Sequence, residues 1–371
     1  MQKQRIPAIE YIRGISMLGV IGIHVGSQAL VNPHANIHLI ALLEIFTRFS
    51  VPIFFFISAF GLFYNLDPKA KFNYRQFMLR RFKTVLIPYL VWSAIYIMHY
   101  TLLYHDLYFW QPLTLLKVLF FGLASYQLYF LVILLWFYLL MPVWLFIVNR
   151  ITILRLALLL IIQIAIDYYS SYIISSNVTS PIIKELLEYR LNYWVIHYAF
   201  IFILGGYAAI HYVKFNSWLK TNYKAIQAFF FLSLGLLLTH YYYLIYKLQY
   251  SPESAINTAH QLSPAGIFYT IGASLFFFAL FSFHGFSTPL QTILSSWGKH
   301  SYFAYLFHPL ALYYLSNIIE KSGLLMTAPV TIILYCCVLI VSMIVAIIMR
   351  SIGARFPLIN IMLIGVYLKK K

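Results

Sequence analysis

Three ionisable side chains lie in the first long apolar segment of the chain, namely Glu10, Arg13 and His24. Burying an ionisable group in an apolar span is costly, so each is a candidate functional residue. In a helix, the spacing of Arg13 and His24 corresponds to about 1100°, within about 20° of three full turns, and to about 16 Å along the axis. The two side chains therefore share one helix face. Glu10 lies one turn before Arg13, at a spacing that allows an ion pair.

A structural interpretation stays open for Arg13 and for His24. Arg13 can be a snorkelling cation that orients the helix, and His24 can be a histidine bonded to a neighbouring helix. A neutral imidazole, however, accepts a proton at physiological pH, which lysine or arginine does not easily do. We therefore take His24 as a candidate general base.

A second ionisable pair, Glu44 and Arg48, precedes a segment that contains Pro52 and Ser58. The pair has the favourable i, i+4 order, and Pro52 removes a helix hydrogen bond and predicts a kink. An ion pair beside an ordinary kink is the alternative interpretation.

A basic stretch follows in residues 65–83 and ends just before Pro88; its charged candidates are Arg75, Arg80, Arg81 and Lys83. Guanidinium groups suit phosphate, so the stretch is a candidate cradle for a phosphorylated ligand. The alternative is the ordinary excess of basic residues in cytoplasmic loops.

Late in the chain, Tyr305 and His308 are three residues apart and share a helix face. His197 lies early in another apolar segment. Taken singly, such histidines are more often packed and satisfied than catalytic. The sequence lacks a nucleophile elbow, a P-loop, a dinucleotide fingerprint and a zinc-protease motif, which counts against a nucleotide-driven pump or a zinc protease. We expect no metal.

The elements that position these residues follow from composition. Of 371 residues, 62% are hydrophobic and 9% charged, against about 25% charged in a soluble domain. Runs of about 20 apolar residues, enough to cross a bilayer, recur along the whole chain. We predict an all-α integral membrane protein with one domain over residues 1–371. Ten helices are expected at about 8–31, 39–64, 84–104, 126–148, 152–174, 193–213, 225–246, 264–284, 300–319 and 328–349.

The distribution of basic residues predicts the orientation. With both termini inside, 19 Lys and Arg residues fall in cytoplasmic segments, 5 fall outside and 2 lie within spans. This asymmetry favours an N-in, C-in topology. It also accounts for the net charge of +17, so nucleic-acid binding is not expected. The lipid bilayer of the cell membrane is the expected surrounding.

Four segments, in order, resemble the membrane-bound acyltransferase family 3. They are Glu10-Tyr11-Ile12-Arg13-Gly14 with His24, Pro52-Ile53-Phe54-Phe55-Phe56-Ile57-Ser58-Ala59, Arg80-Arg81-Phe82-Lys83 with Ile87-Pro88-Tyr89, and Trp297-Gly298-Lys299-His300-Ser301-Tyr302 with Leu306-Phe307-His308-Pro309. The chain departs from the family pattern at Ala59, where glycine is usual, and at Lys83, where arginine is usual. Its short length is similar to that of polysaccharide-modifying members of Gram-positive bacteria.

The resemblance implies transfer of an acyl group, usually acetyl, from cytoplasmic acyl-CoA to a hydroxyl of an extracytoplasmic glycan or lipid-linked sugar. His24 would be the general base, with Arg13 and Glu10 beside it in the catalytic set. The donor would be bound by Arg48, Ser58, Arg75, Arg80, Arg81 and Lys83. Residues on the acceptor side would be Glu44, Tyr305 and His308. The alternatives are an exporter or flippase of a glycan or small molecule, and a non-catalytic subunit of a polysaccharide synthase.

Overall fold

The computed structural model describes residues 5–30, 36–66 and 71–365, and the described residues form helices and loops without β-strands. The helices are α1 Pro7–Leu30, α2 Ile37–Asn65, α3 Tyr74–Tyr104, α4 Pro112–Phe121, α5 Tyr129–Leu139, α6 Met141–Val148, α7 Ile153–Ile173, α8 Pro181–Glu188, α9 Val195–Ile210, α10 Tyr212–Thr221, α11 Tyr223–Tyr246, α12 Pro252–Thr258, α13 Pro264–Phe283, α14 Thr288–Lys321 and α15 Ala328–Arg355. The all-α prediction is confirmed.

Seven helices in the described ranges are long and apolar enough to cross a membrane: α1, α2, α3, α7, α11, α13 and α15. Two bent pairs, α5 with α6 and α9 with α10, raise the number to nine. The ninth predicted span, 300–319, lies in the 34-residue α14, which is long enough but too polar to be counted among these nine. The predicted number of ten is therefore not confirmed, and the orientation stays a prediction.

Three predicted boundaries are corrected. The basic stretch 65–83 was expected to be a loop, but α3 begins at Tyr74, where the side chain of Asn73 accepts a hydrogen bond from Gln76 N at 2.9 Å. Such a cap, followed by good helix formers, favours a helix. The predicted helix 126–148 is bent by 67° between α5 and α6, where Pro142 removes a helix hydrogen bond. The predicted helix 193–213 ends at Ile210, and α10 turns away by 100°.

The predicted kink in α2 is confirmed, because the helix consists of two segments, Ile37–Thr47 and Ser50–Asn65. Pro52 lies in the first turn of the second segment. Its missing N–H leaves the carbonyl of Arg48 without the usual helix partner. Arg48 therefore lies at the junction of the two segments.

Helix α1 packs along α14 in the same direction, since Glu10 lies beside Gly298 and His24 lies beside His308. A Cβ atom at Gly298 would run into the carbonyl oxygen of Glu10, and one at Gly14 into that of Leu294. Small residues let two helix backbones approach this closely in a membrane protein. This contact places the polar residues of α1 next to those of α14 along the length of the two helices.

Candidate functional site

One end of the bundle, which we call the basic end, holds the start of α1, the start of α3 and Lys299 of α14. A cavity of about 320 Å³ opens there, and we call it the arginine cavity. Its polar lining is formed by Arg13, Ser58, Arg81, Thr84, Tyr138, Lys299, Ser301, Tyr302 and Tyr305. Arg81 Nε, Thr84 Oγ1 and Tyr302 Oη are buried and have no hydrogen-bond partner among the described residues. Unpaired buried polar atoms are uncommon, so this group is suited to a polar ligand.

A second cavity of about 670 Å³, the entrance cavity, is lined by Lys71, Asn73, Gln76, Arg80 and Arg81 among others. Arg81 lines both cavities. Its guanidinium lies 5.0 Å from the ring centroid of Tyr138 and 5.2 Å from that of Phe77, which fixes it by cation–π contact. Arg75 and Lys83 are exposed and do not line either cavity.

Glu10 does not form the ion pair with Arg13 that its spacing allows. Its carboxylate pairs with Arg5 instead and accepts a hydrogen bond from Ser295 Oγ at 3.3 Å. Glu10 therefore ties the start of α1 to α14. Arg13 extends into the arginine cavity beside Arg81.

His24 lies about 16 Å further along α1 than Arg13, toward the opposite end of the bundle. Its ring centroid is 4.4 Å from that of Tyr126 and 5.2 Å from that of His308. Tyr126 is 48% exposed, and His24 is half-buried beneath it. His24 is thus close to the surface of the bundle, toward the end opposite the basic end.

His308 lies deeper, one turn beyond Tyr305 on α14. Its side chain is fully buried, and the ring centroids of Tyr305 and His308 are 6.0 Å apart. The hydroxyl of Tyr305 donates a hydrogen bond to the carbonyl of Gln127. Since Tyr305 also lines the arginine cavity, it is in contact with both that cavity and His308.

The predicted pair of Glu44 and Arg48 is formed, with Arg48 Nη2 3.3 Å from Glu44 Oε2. Arg48 also donates to the carbonyl of Ile256 at 3.1 Å, and Ser27 Oγ donates to Glu44 Oε1 at 3.2 Å. Because Ser27 follows His24 by less than one turn, the pair lies at the level of His24. Arg48, grouped on sequence with the donor-binding residues, is not among the residues that line the arginine cavity.

His260, in the loop between α12 and α13, lies near Arg48. Burial, with a smaller effect from the charge of Arg48, lowers the pKa of His260 to about 3. Its Nδ1 accepts a hydrogen bond from Leu262 N at 3.0 Å, so the neutral ring is the form that the structure holds.

Sequence reasoning missed a buried network on α7 and α9. His197 Nδ1 lies 2.7 Å from Asp167 Oδ1, and His197 Nε2 lies 3.3 Å from Ser170 Oγ. Gln163 donates to Asp167 Oδ2 at 2.9 Å, and Arg190 Nε donates to Ser170 Oγ at 3.2 Å. The available signal was Asp167 itself, an acid within an apolar helix.

The site thus has two levels. Arginines and unpaired polar atoms surround the arginine cavity, an environment that suits an anionic or polar ligand. Two histidines meet nearer the opposite end, and a neutral imidazole is able to accept and return a proton. In the described part of the chain, no three His, Cys, Asp or Glu residues are grouped as a metal site requires.

A family model described as an acyltransferase domain, Acyl_transf_3, matches residues 6–350, nearly the whole chain. No match was found among curated proteins or among solved structures.

Proposed function

The chain belongs to acyltransferase family 3, and we propose that it transfers an acetyl group from acyl-CoA to a hydroxyl of a glycan or lipid-linked sugar. The basic end would face the cytoplasm and the Tyr126 end the outside of the cell membrane. The observation that carries this proposal is the placement of Arg13 and His24 on one face of α1, at the two levels of the site.

The donor side of the proposal rests on the two cavities. The entrance cavity, with Lys71, Arg80 and Arg81, has a size and charge that suit the phosphorylated nucleotide part of CoA. The arginine cavity continues from Arg81 toward Tyr305 and is suited to the narrower pantetheine arm. Arg13 and Ser58 would contact that arm. Arg75 and Lys83, which are exposed, would only add to the positive potential that attracts the donor.

The acceptor side rests on the exposure of Tyr126 above His24. A sugar hydroxyl that enters there would give its proton to His24 while its oxygen attacks the thioester carbon. The C–O bond forms, the C–S bond breaks, and His24 returns the proton to the leaving sulfur. Arg48, whose Nε has no partner among the described residues, would stabilise the negative charge on the carbonyl oxygen. Glu44 would hold Arg48 in place.

The decisive experiment uses purified protein in nanodiscs with radiolabelled acetyl-CoA and a panel of glycans. We expect transfer by the wild type, a loss of about 10³-fold in His24→Ala, and wild-type transfer in His38→Ala. His38 is an exposed histidine near the start of α2 and serves as the matched control. Normal transfer by His24→Ala in a folded protein would remove His24 from the mechanism. Glycan movement across vesicles without any acetyl-CoA binding would instead identify an exporter.

Donor binding is tested separately by the affinity for a non-hydrolysable acetyl-CoA analogue. Removing Arg81, which lines both cavities, should weaken binding by about 10- to 100-fold, because a hydrogen bond to a charged group is lost. Arg80→Ala should weaken it less, and Arg75→Ala should change it little. Equal affinities in all three variants would show that the basic stretch serves only topology.

Orientation is tested with an impermeant maleimide on intact cells, after Cys336 and Cys337 are replaced by serine. A cysteine at Gln249, in the loop after α11, should be labelled. A cysteine at Arg75 should be labelled only after lysis. The reverse pattern would overturn the proposed direction of transfer.

A further inference from the structure

The sequence His308-Pro309 on α14 fixes the proton of an imidazole. Proline has no N–H, so the carbonyl of Tyr305, four residues before Pro309, lacks its usual helix donor. His308 Nδ1 lies 2.9 Å from that carbonyl oxygen and 3.1 Å from the carbonyl oxygen of Ala304. A carbonyl oxygen only accepts hydrogen bonds. Nδ1 therefore carries the proton, and His308 Nε2 carries a lone pair.

The lone pair of His308 Nε2 is buried, and it has no hydrogen-bond partner in the part of the chain that the structure describes. A doubly protonated ring would place an unpaired N–H and a charge at this buried position, which is costly. The ring therefore stays neutral and offers one acceptor. Its nearest ring neighbours are His24, with centroids 5.2 Å apart and planes inclined by 26°, and Tyr305.

We propose that His308 is a positioning residue for His24, an inference that rests on the proposed acyl transfer with His24 as base. His24 gains a second N–H when it takes the proton of the attacking hydroxyl. A rotation of the His24 ring brings one of its N–H groups to His308 Nε2, which accepts it and stabilises the imidazolium. The proton then passes from His24 to the sulfur as the C–S bond breaks, and His308 itself neither gains nor loses a proton.

This arrangement has the same logic as a carboxylate behind a catalytic histidine, where a fixed acceptor selects the tautomer and stabilises the cation. Here a neutral imidazole takes the place of the carboxylate. Its own orientation is fixed by the main-chain carbonyls of Ala304 and Tyr305, and the Tyr305 carbonyl has no helix donor because Pro309 lacks an N–H. A buried carboxylate would add a full negative charge near the apolar centre of the bundle.

Two substitutions at His308 separate this role from simple packing. The amide of His308→Asn reaches only as far as Nδ1 and can still donate to the Tyr305 carbonyl, but the acceptor at Nε2 is lost. The longer amide of His308→Gln presents an oxygen near the position of Nε2. We expect kcat to fall by about 10- to 100-fold in His308→Asn, with KM for acetyl-CoA unchanged. His308→Gln should recover part of the loss.

A third substitution leaves both histidines in place. Pro309→Ala restores an N–H that competes with His308 Nδ1 for the Tyr305 carbonyl, so the tautomer is less firmly fixed. We expect kcat to fall by about 2- to 10-fold while thermal stability is kept or raised, since alanine favours the helix. A merely structural role for Pro309 would change stability and leave kcat unaltered.

The experiment measures kcat and KM of the three variants beside wild type and His24→Ala in nanodiscs. Wild-type kcat in His308→Asn, with loss in His24→Ala, overturns the positioning role and leaves the proposed function standing. Equal losses in His308→Asn and His308→Gln, with lowered thermal stability in both, also overturn it, because they indicate a packing role. Absence of transfer by the wild type overturns both proposals together.

Discussion

His197 and His308 are both buried in the bundle, but their hydrogen bonding is opposite. His197 has a partner at each nitrogen, Asp167 at Nδ1 and Ser170 at Nε2. His308 has main-chain carbonyls at Nδ1, and its Nε2 has no partner among the described residues. Both nitrogens of His197 thus have partners within its network, whereas His308 keeps an unpaired basic nitrogen, Nε2.

The difference shows how a buried histidine is assigned to folding or to chemistry. Buried polar atoms are nearly always satisfied, so a complete network such as that of His197 contributes to the stability and uniqueness of the fold. A buried polar atom without a hydrogen-bond partner destabilises the fold, and only a group that pairs with it during the reaction offsets that cost. The three residues Asp167, His197 and Ser170 have the order of a hydrolase triad, but Ser170 Oγ also accepts from Arg190 and is buried. We therefore expect His197 variants to change stability and His308 variants to change turnover.

The largest expected effect is that of Asp167→Ala. It leaves His197 Nδ1 and the amide of Gln163 without their shared acceptor, and breaking a buried pair in this way costs about 3 kcal/mol. The thermal midpoint in detergent should fall strongly, while acetyl transfer per folded molecule stays near wild type. Asp167→Asn, which keeps one oxygen, should lose less. A wild-type thermal midpoint in Asp167→Ala would show that the network around His197 does not stabilise the fold.

Arg190→Met should destabilise the same network by about 2 kcal/mol. The guanidinium donates to the carbonyl of Ser170 at 2.6 and 2.9 Å and to the carbonyls of Leu187 and Ile174. The measurement is again the thermal midpoint, with Arg150→Met as the control, because Arg150 is exposed and bonds main-chain oxygen only at 3.4 Å. Equal midpoints in the two variants would show that Arg190 contributes no more than a surface residue.

Much of the fold follows from the sequence, because apolar length and proline position are local properties. The break in α2 near Pro52 illustrates this, since a missing N–H acts within one turn. So does the start of α13, where Ser263 Oγ accepts a hydrogen bond from Gly266 N at 3.1 Å. Helix α14 shows the limit. The apolar residues of 300–319 predict part of this helix, but the structure begins it at Thr288. The sequence did not predict the earlier turns, because Lys299, His300 and Ser301 interrupt the apolar pattern.

The site was predictable only where spacing along one helix sets the geometry. Arg13 and His24 share a face of α1 because helical periodicity requires it, and Glu44 pairs with Arg48 for the same reason. Contacts between distant segments were not predictable: Glu10 accepts a hydrogen bond from Ser295 of α14. Its nearby partner is Arg5 rather than Arg13. The contact of His24 with His308 likewise depends on how α1 and α14 pack, which a single sequence does not state.

Ser170→Ala tests whether the hydrogen-bonded network around His197 takes part in acyl transfer. It removes one partner of His197 Nε2 and should cost about 1 kcal/mol of stability, with transfer per folded molecule unchanged. Ser171→Ala, on the next residue, is the matched control. Loss of acetyl transfer in a folded Ser170→Ala protein would mean that Asp167, His197 and Ser170 act as a catalytic triad, and the contrast with His308 would then fail.

The smallest expected effect is at the surface, where Lys117 of α4 and Glu185 of α8 form an ion pair at 2.7 Å. The hydrogen bond that Lys117 donates to the carboxylate of Glu185 is the main cause that raises the pKa of Lys117. Its contribution is therefore present at neutral pH and is lost as the pH rises through that raised pKa. Since both side chains are partly exposed to solvent, the pair contributes less than about 1 kcal/mol. Lys117→Met should leave the thermal midpoint at pH 7 nearly unchanged. A fall as large as that of Asp167→Ala would show that the exposed pair of Lys117 and Glu185 stabilises the fold as much as the buried pair of Asp167 and His197.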